Sequence, residues 1–377
     1  MSKTTLEQLG EFGQSIWLDY ISSSLMKSGK LKDMIDLGLR GMTSNPTIFN
    51  EAISTSTDYD EKIMQLNEAG KSSFQIYDDL TIKDIQDAAD IFRLLYEKTN
   101  YLDGYVSLEI NPQLAMKTKE SIEEGLRLFK KVNRPNIMIK VPATPAGFPV
   151  IEELLAEGVN VNVTLIFSLN QYTKAAEAFL KGMKRLSHTT ADLSKTRSVA
   201  SVFVSRIDTA VDNLFDEKMA QEKDSTKKNQ LQSLKGEAAV ANCRMIFQKF
   251  GSIFSSSSFK SLSKKNCQAQ RILWGSTGTK NPLYSDIKYV TELIARPTVN
   301  TLPEKTIRAF LDHGTVKEAI TNDVGDAVKI IQSLGSFGID INKACDKLLI
   351  DGVLAFEKSF EALINSIETK ARSLCAK

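Results

Sequence analysis

Short apolar runs alternate along the chain with longer stretches whose apolar residues recur at the helical spacing. The runs are 15–19 (SIWLD), 39–43 (LRGMT), 105–110 (YVSLEI), 137–141 (IMIKV), 160–165 (NVNVTL), 199–204 (VASVFV), 271–275 (RILWG) and 298–302 (TVNTL). Between them lie amphipathic stretches such as KTKESIEEGLRLFKKV and SLNQYTKAAEAFLKGMKRL. Strand-like runs joined by helical connectors predict an α/β chain, best fitted by a parallel (β/α)8 TIM barrel. An open doubly wound sheet is the alternative. It lacks a GxGxxG after an early strand, which weakens its dinucleotide-binding form.

The connections are unequal. Residues 44–104 hold several helical patterns between the second and third runs. Residues 209–270 form an insertion before the seventh run, with polar flanks EKDSTKKNQ and SSSSFKSLSKKN around the helical GEAAVANCRMIFQKF. The Ser/Lys-rich piece 252–266 is expected to be a mobile surface loop. Residues 303–377 read as C-terminal helices, ending in the amphipathic DKLLIDGVLAFEKSFEALINSI. With no internal repeat and no linker, residues 1–377 read as one barrel domain with helical insertions and a helical extension.

Successive side chains on a strand point to opposite faces, and both faces of a parallel barrel are buried. Several runs break that apolar rule on one parity. Val106, Leu108 and Ile110 oppose Ser107 and Glu109; Ile137, Ile139 and Val141 oppose Met138 and Lys140. Val161, Val163 and Leu165 oppose Asn160, Asn162 and Thr164; Ile16 and Leu18 oppose Trp17 and Asp19; Val202 and Val204 oppose Ser201 and Phe203. The simplest geometry turns the apolar parity toward the outer helices and the polar parity into the barrel. Asp19, Glu109, Lys140 and Thr164 then fall near the C-terminal ends of their strands, where barrel enzymes place their sites.

Composition narrows the chemistry. The 377 residues include 48 basic and 46 acidic side chains, a net charge of +2 that gives no electrostatic case for nucleic acid. The beginning, MSKTTLEQLGEFGQ, has no signal-peptide core and no run matches a membrane span. Cys243, Cys267, Cys345 and Cys375 are far apart and form no CxxC, so disulfide and zinc frameworks are not expected and a cytoplasmic location is. His188 and His313 are the only histidines, too few for a histidine-rich metal centre, and no metal is expected.

A desolvated amine titrates lower than a solvated one and attacks a ketone to give a Schiff base. The protonated imine draws electrons from the adjacent carbon–carbon bond, so aldol cleavage needs no metal or cofactor. It does need a base for the substrate hydroxyl and an acid for the carbinolamine. Asp19 and Glu109 supply two carboxylates, and Thr164 could hold a water. Asn45, Asn162 and Ser201 can hydrogen-bond sugar hydroxyls. A competing reading makes Lys140 a structural ion pair with Glu109.

Six blocks carry a family resemblance: WLD at 17–19, GMTSNPTIF at 41–49, SLEINP at 107–112, IMIKVPAT at 137–144, NVTLIFS at 162–168 and SVFVSRID at 201–208. In this order they resemble the transaldolases, and the length and the insertion resemble the longer bacterial members. The resemblance implies a (β/α)8 barrel with Lys140 as the Schiff-base lysine on strand four. It implies Asp19 as acid/base in carbon–carbon cleavage and Glu109 acting with a water near Thr164. Asn45 and Asn162 match residues that hold the dihydroxyacetone part of the sugar; Ser201 and Phe203 match pocket residues. Arg206 matches a phosphate-binding arginine; the competing reading is a helix-start arginine paired with Asp208. Where many members have a second arginine, WGSTGTKNP offers Lys280, which otherwise reads as a solvated loop lysine. Asn45-Pro46 also reads as a simple turn.

The implied reaction moves a dihydroxyacetone unit from sedoheptulose 7-phosphate to glyceraldehyde 3-phosphate, giving erythrose 4-phosphate and fructose 6-phosphate. One rival is a Schiff-base aldolase that releases free dihydroxyacetone; the aldolase relatives are shorter and lack the strand-three glutamate. Another is a noncatalytic sugar-phosphate-binding barrel, against which the joint presence of Lys140, Asp19 and Glu109 speaks. The expected partners are sugar phosphates, with no nucleic acid or membrane, and the chain is compatible with a monomer or a homodimer.

Overall fold

A computed structural model describes residues 3–321 and 323–375. Eight parallel strands close into a barrel in sequence order. They are β1 (Gln14–Asp19), β2 (Leu39–Thr43), β3 (Tyr105–Glu109), β4 (Ile137–Pro142), β5 (Val161–Ile166), β6 (Ser198–Phe203), β7 (Arg271–Gly275) and β8 (Thr298–Leu302). β1 pairs with both β2 and β8, which completes the ring. The expected runs coincide with these strands to within one residue at either end.

The alternation sorts side chains as the parity argument requires. Ile16, Leu18, Val106, Leu108, Ile139, Val163 and Val202 join the large core between barrel and helices. Trp17, Tyr105, Met138, Val199, Leu273 and Val299, all of the other parity, form a separate cluster inside the barrel. Gly41 makes room for the Trp17 ring, since a Cβ there would stand 2.6 Å from it. These side chains fill the middle of the barrel, as in barrel interiors generally; the larger opening is at its C-terminal end, with a smaller cavity of about 90 Å3 at the other end.

Leu165 departs from the expected pattern. It adopts φ 58°, a left-handed conformation unusual for leucine, at a register shift between Val163 and Ile166. Its side chain reaches the C-terminal helix Ile341–Cys375 instead of lying in the outer layer alone.

The expectation for 252–266 is also corrected. The helix Ala238–Phe254 runs into it, and a second helix, Ser257–Ser263, follows. The Ser256 side chain accepts from the Phe259 N–H at 3.3 Å, a cap worth about 1 kcal/mol, while Phe259 and Leu262 are buried. Serine density there reflects capping and exposed helix positions rather than a loop. Likewise the polar EKDSTKKNQ contributes to a helix, Ser225–Ser233, capped by Asp224.

The C-terminal stretch forms the helix Ile341–Cys375, which packs along its own barrel against the helix Pro46–Thr55. Phe356, Phe360, Leu363, Ile367 and Ala371 make its buried stripe. Cys243, Cys267 and Cys345 are buried and free. No helix among the described residues is long and apolar enough to cross a membrane.

Candidate active site

Register fixes the central residues. Glu109 on β3 lies beside Lys140 on β4, and Lys140 lies beside Asn162 on β5. Three adjacent strands thus aim an acid, an amine and an amide into the barrel at one level. Asp19 lies at the end of β1 beside Thr43 of β2. The residues meet at a cavity of about 360 Å3 at the C-terminal mouth. Of the ten site residues expected from the sequence, Asp19, Asn45, Lys140, Asn162, Thr164, Ser201, Phe203, Arg206 and Lys280 line it. Glu109 is the exception: it lies behind Lys140 and borders a second, much smaller cavity of about 10 Å3.

Lys140 is only 5% exposed. Its Nζ donates to the Ser44 carbonyl at 2.9 Å, and Glu109 Oε2 stands 3.7 Å away. That separation is an ion pair without a hydrogen bond, looser than a structural bridge. Glu109 Oε2 has no hydrogen-bond partner in the protein. Burial pushes the Glu109 carboxyl up to about 7; Lys140 opposes this shift, and the Asp19 charge adds to it.

Asp19 is held differently. Thr43 Oγ1 donates to Asp19 Oδ1 at 2.8 Å and lies 3.0 Å from Thr301 Oγ1. Thr43 was not among the expected site residues, although its inward parity beside Asp19 was readable. Ser44 contributes its carbonyl to Lys140, and its hydroxyl donates to the Ser107 carbonyl at 2.6 Å, pinning the β2 end to β3.

The amides at the cavity are oriented by their neighbours. Ser201 Oγ donates to Asn162 Oδ1 at 2.6 Å, and Asn162 Nδ2 donates to Ser107 Oγ at 3.0 Å. Asn45 is both a helix cap and a cavity-lining residue. Its Oδ1 accepts from the Ile48 N–H at 3.0 Å, capping the helix Pro46–Thr55, while its side chain borders the cavity. Thr164 Oγ1 is buried with no protein partner. The ring of Phe203 packs edge-on against Phe167 at 5.4 Å and forms part of the wall.

The cationic end of the cavity is built by β6 and β7. Ser205 N–H donates to the Ser276 carbonyl at 3.1 Å, joining the start of the helix Ser205–Gln221 to the loop after β7. Arg206 sits on this first turn with its guanidinium carbon 5.7 Å from the centre of the Phe203 ring. Its pKa is lowered by burial, against the favourable field of Asp19. It forms no ion pair with Asp208, whose carboxylate accepts from the Ala239 N–H and the Tyr289 hydroxyl, each at 2.7 Å. Lys280 is exposed at the rim. The helix N-terminus and two cations give this end the character of an anion site.

The arrangement has one buried amine, two carboxylates in unlike environments, oriented amides and a positive end. That set suits Schiff-base chemistry on a phosphorylated polyhydroxy ketone. Comparison with known proteins agrees with it. The family described as Transaldolase/Fructose-6-phosphate aldolase matches residues 16–367. The chain is 43% identical over 372 residues to a transaldolase of Trichodesmium erythraeum, covering 98% of both chains. It is 42% identical over 368 residues to a transaldolase of Saccharopolyspora erythraea, covering 97% of both. A transaldolase of Mycobacterium ulcerans is 40% identical over 375 residues, with 99% of this chain and 98% of that one aligned. The chain belongs to the transaldolase/fructose-6-phosphate aldolase family.

Proposed function

We propose that this chain carries out the transaldolase reaction through an imine on Lys140, with sedoheptulose 7-phosphate and glyceraldehyde 3-phosphate as donor and acceptor. The observation that carries the assignment is the setting of Lys140: a buried amine at the base of an open polar cavity, 3.7 Å from a buried carboxyl group.

The Lys140 nitrogen adds to the donor ketone carbon. Glu109, through a water held at Thr164, returns a proton to the carbinolamine oxygen, which leaves as water. Asp19 takes the proton of the hydroxyl beside the scissile bond. That bond breaks, its electron pair enters the imine to give an enamine, and erythrose 4-phosphate departs. The three-carbon enamine stays on Lys140, with Asn45, Asn162 and Ser201 around its hydroxyls. Its nucleophilic carbon adds to the acceptor aldehyde, and Asp19 gives back its proton to the new hydroxyl. Water then adds to the imine and fructose 6-phosphate leaves. Arg206 and Lys280 hold the substrate phosphate. The reading places the enzyme in the cytoplasm, with sugar phosphates as its partners.

Release of free dihydroxyacetone is the second reading, since the family name covers both reactions. The name transaldolase on all three relatives favours transfer. Borohydride reduction in the presence of fructose 6-phosphate, followed by peptide mass spectrometry, tests the assignment. A single reduced three-carbon or six-carbon adduct on Lys140 is expected; an adduct on another lysine, or none in active protein, overturns it.

A further inference from the structure

Two cavities meet Phe356. The mouth cavity holds Asp19, Thr164 and the Lys140 amine, and the small cavity holds Glu109, Pro142, Leu165 and Val353. Phe356 is the residue common to both walls, and it comes from the C-terminal helix, more than 200 positions from Lys140 in sequence. The small cavity measures about 10 Å3, close to the least space that accommodates one water. Glu109 borders it, and its Oε2 is a buried oxygen with no protein partner. Apart from this carboxyl, its walls are mostly apolar side chains: Ile110, Leu165, Val353 and Phe356.

The helix approaches this closely for two local reasons. Gly352, one turn before Phe356, has no side chain to hold the helix off; a Cβ there would lie 3.0 Å from Leu165 Cδ2 and 3.9 Å from Arg206 Nη1. Leu165, in its left-handed conformation at the β5 register shift, meets the helix from below. The small pocket beside Glu109 is therefore assembled from an irregular strand end and a glycine-bearing helix face.

We propose that Phe356 is a positioning and specificity-determining residue that decides whether the three-carbon fragment is transferred or released. The proposal rests on the Lys140 imine of the preceding section. Schiff-base chemistry uses water twice, once lost when the imine forms and once added when it breaks. Between those steps the bound enamine must outlast its wait for an aldehyde. If a proton reaches its carbon first, it becomes an imine of dihydroxyacetone. Water then adds to the C=N bond, the C–N bond breaks, and free ketone and amine result. Phe356 lines the mouth cavity together with Lys140 and also borders the small pocket beside Glu109, so its apolar ring limits the space that further water can occupy on that side of the waiting fragment.

Phe356→Ala and Phe356→Leu test this with fructose 6-phosphate, supplied either alone or with erythrose 4-phosphate as acceptor. The readout is the ratio of free dihydroxyacetone released to fragment transferred. Phe356→Ala is expected to raise that ratio about tenfold or more, equivalent to about 1.4 kcal/mol of lost discrimination. Phe356→Leu, which keeps an apolar wall, is expected to restore most of the original ratio. A merely structural role would lower both rates together and leave the ratio unmoved. A ratio within threefold of wild type in Phe356→Ala, with native circular dichroism and Tm, overturns the assignment. If the alanine variant does not fold, Phe356→Val, which shortens the wall less, takes its place: a ratio within threefold of wild type overturns the assignment, and a raised one supports it. Absence of a borohydride adduct on Lys140 in the wild-type enzyme would sink the imine mechanism instead, so the two failures are distinguishable.

Discussion

The two ends of the barrel bury charge on the same strand parity and to almost the same depth, and they treat it in opposite ways. On β1, Ser15 faces the floor and Asp19 the mouth, about 13 Å apart along one face. At the floor, Arg271 is 8% and Asp103 6% exposed; at the mouth, Lys140 is 5% and Glu109 6% exposed. Arg271 Nη2 donates to Asp103 Oδ1 at 3.0 Å and to the Leu102 carbonyl at 2.6 Å, and its Nη1 donates to Ser15 Oγ at 2.8 Å. Ser15 in turn donates to the same Asp103 oxygen at 2.7 Å. The planar fork of arginine closes a network. Lys140 and Glu109, 3.7 Å apart, leave a carboxyl oxygen unpartnered. Burial alone does not make a charged group reactive; burial with incomplete pairing does.

Removing the amine should have the largest effect. Lys140→Ala is expected to lower transfer by on the order of 10⁴-fold or more, as loss of a covalent nucleophile does. Its Tm should stay near wild type, because the pair it breaks is loose. A coupled assay with a borohydride-trapping control checks both; surviving activity would end the contrast between the two ends.

Glu109→Gln comes next. It keeps the shape and removes the titration, and is expected to cost about 10²-fold in kcat, the range of a general acid. The folded-state value, about 7, lies above the ordinary 4.5. Stability tied to this group is therefore whole below 4.5 and lost as pH rises through about 7. Urea unfolding between these limits should show wild type losing stability relative to Glu109→Gln as pH rises. A parallel pH dependence of the two proteins would mean that the carboxyl is not held protonated.

The contrast was partly legible in the chain. The strands could be read because parallel barrels need apolar runs, and the polar parity of Asp19, Glu109, Lys140, Asn162 and Thr164 marked the mouth. Arg271 occupies the same parity on β7, yet a lone arginine at the start of a run gave no sign that Asp103, from the loop before β3, would meet it. Leu165 was read as outward because an alternation rule fails where a strand shifts register. The stripe Phe356, Phe360, Leu363 and Ile367 was visible as helical spacing, but no local pattern states which surface such a stripe covers. The Ser/Lys-rich 252–266 was misread because composition does not distinguish a capping serine from a loop serine.

At the floor, Arg271→Met should cost about 3–5 kcal/mol of stability by stranding the Asp103 charge, with kcat per folded molecule close to wild type. Arg271→Met combined with Asp103→Leu should recover much of the loss, since an apolar pair of similar volume removes the stranded charge. Denaturant titration and active-site titration by borohydride trapping separate the two quantities. A kcat that fell with stability would show the floor and the mouth acting as one unit.

The smallest effect is expected at the rim, where the same contrast recurs between two cations. Arg206 is half-buried against Phe203 at the head of a helix, whereas Lys280 is exposed. An exposed charge is screened, and such interactions are worth about 0.2–1 kcal/mol. Lys280→Ala should therefore raise KM for the phosphorylated donor by no more than about fivefold, with kcat unchanged. The increase should vanish at about 1 M salt, where the Debye length falls to about 3 Å. Arg206→Gln should raise KM further, and that increase should persist in salt because the site is shielded. The salt dependence is the sharper measurement. If both variants lost their effect together, the phosphate would be held by a diffuse positive field, and the order inferred for the two cations would be wrong.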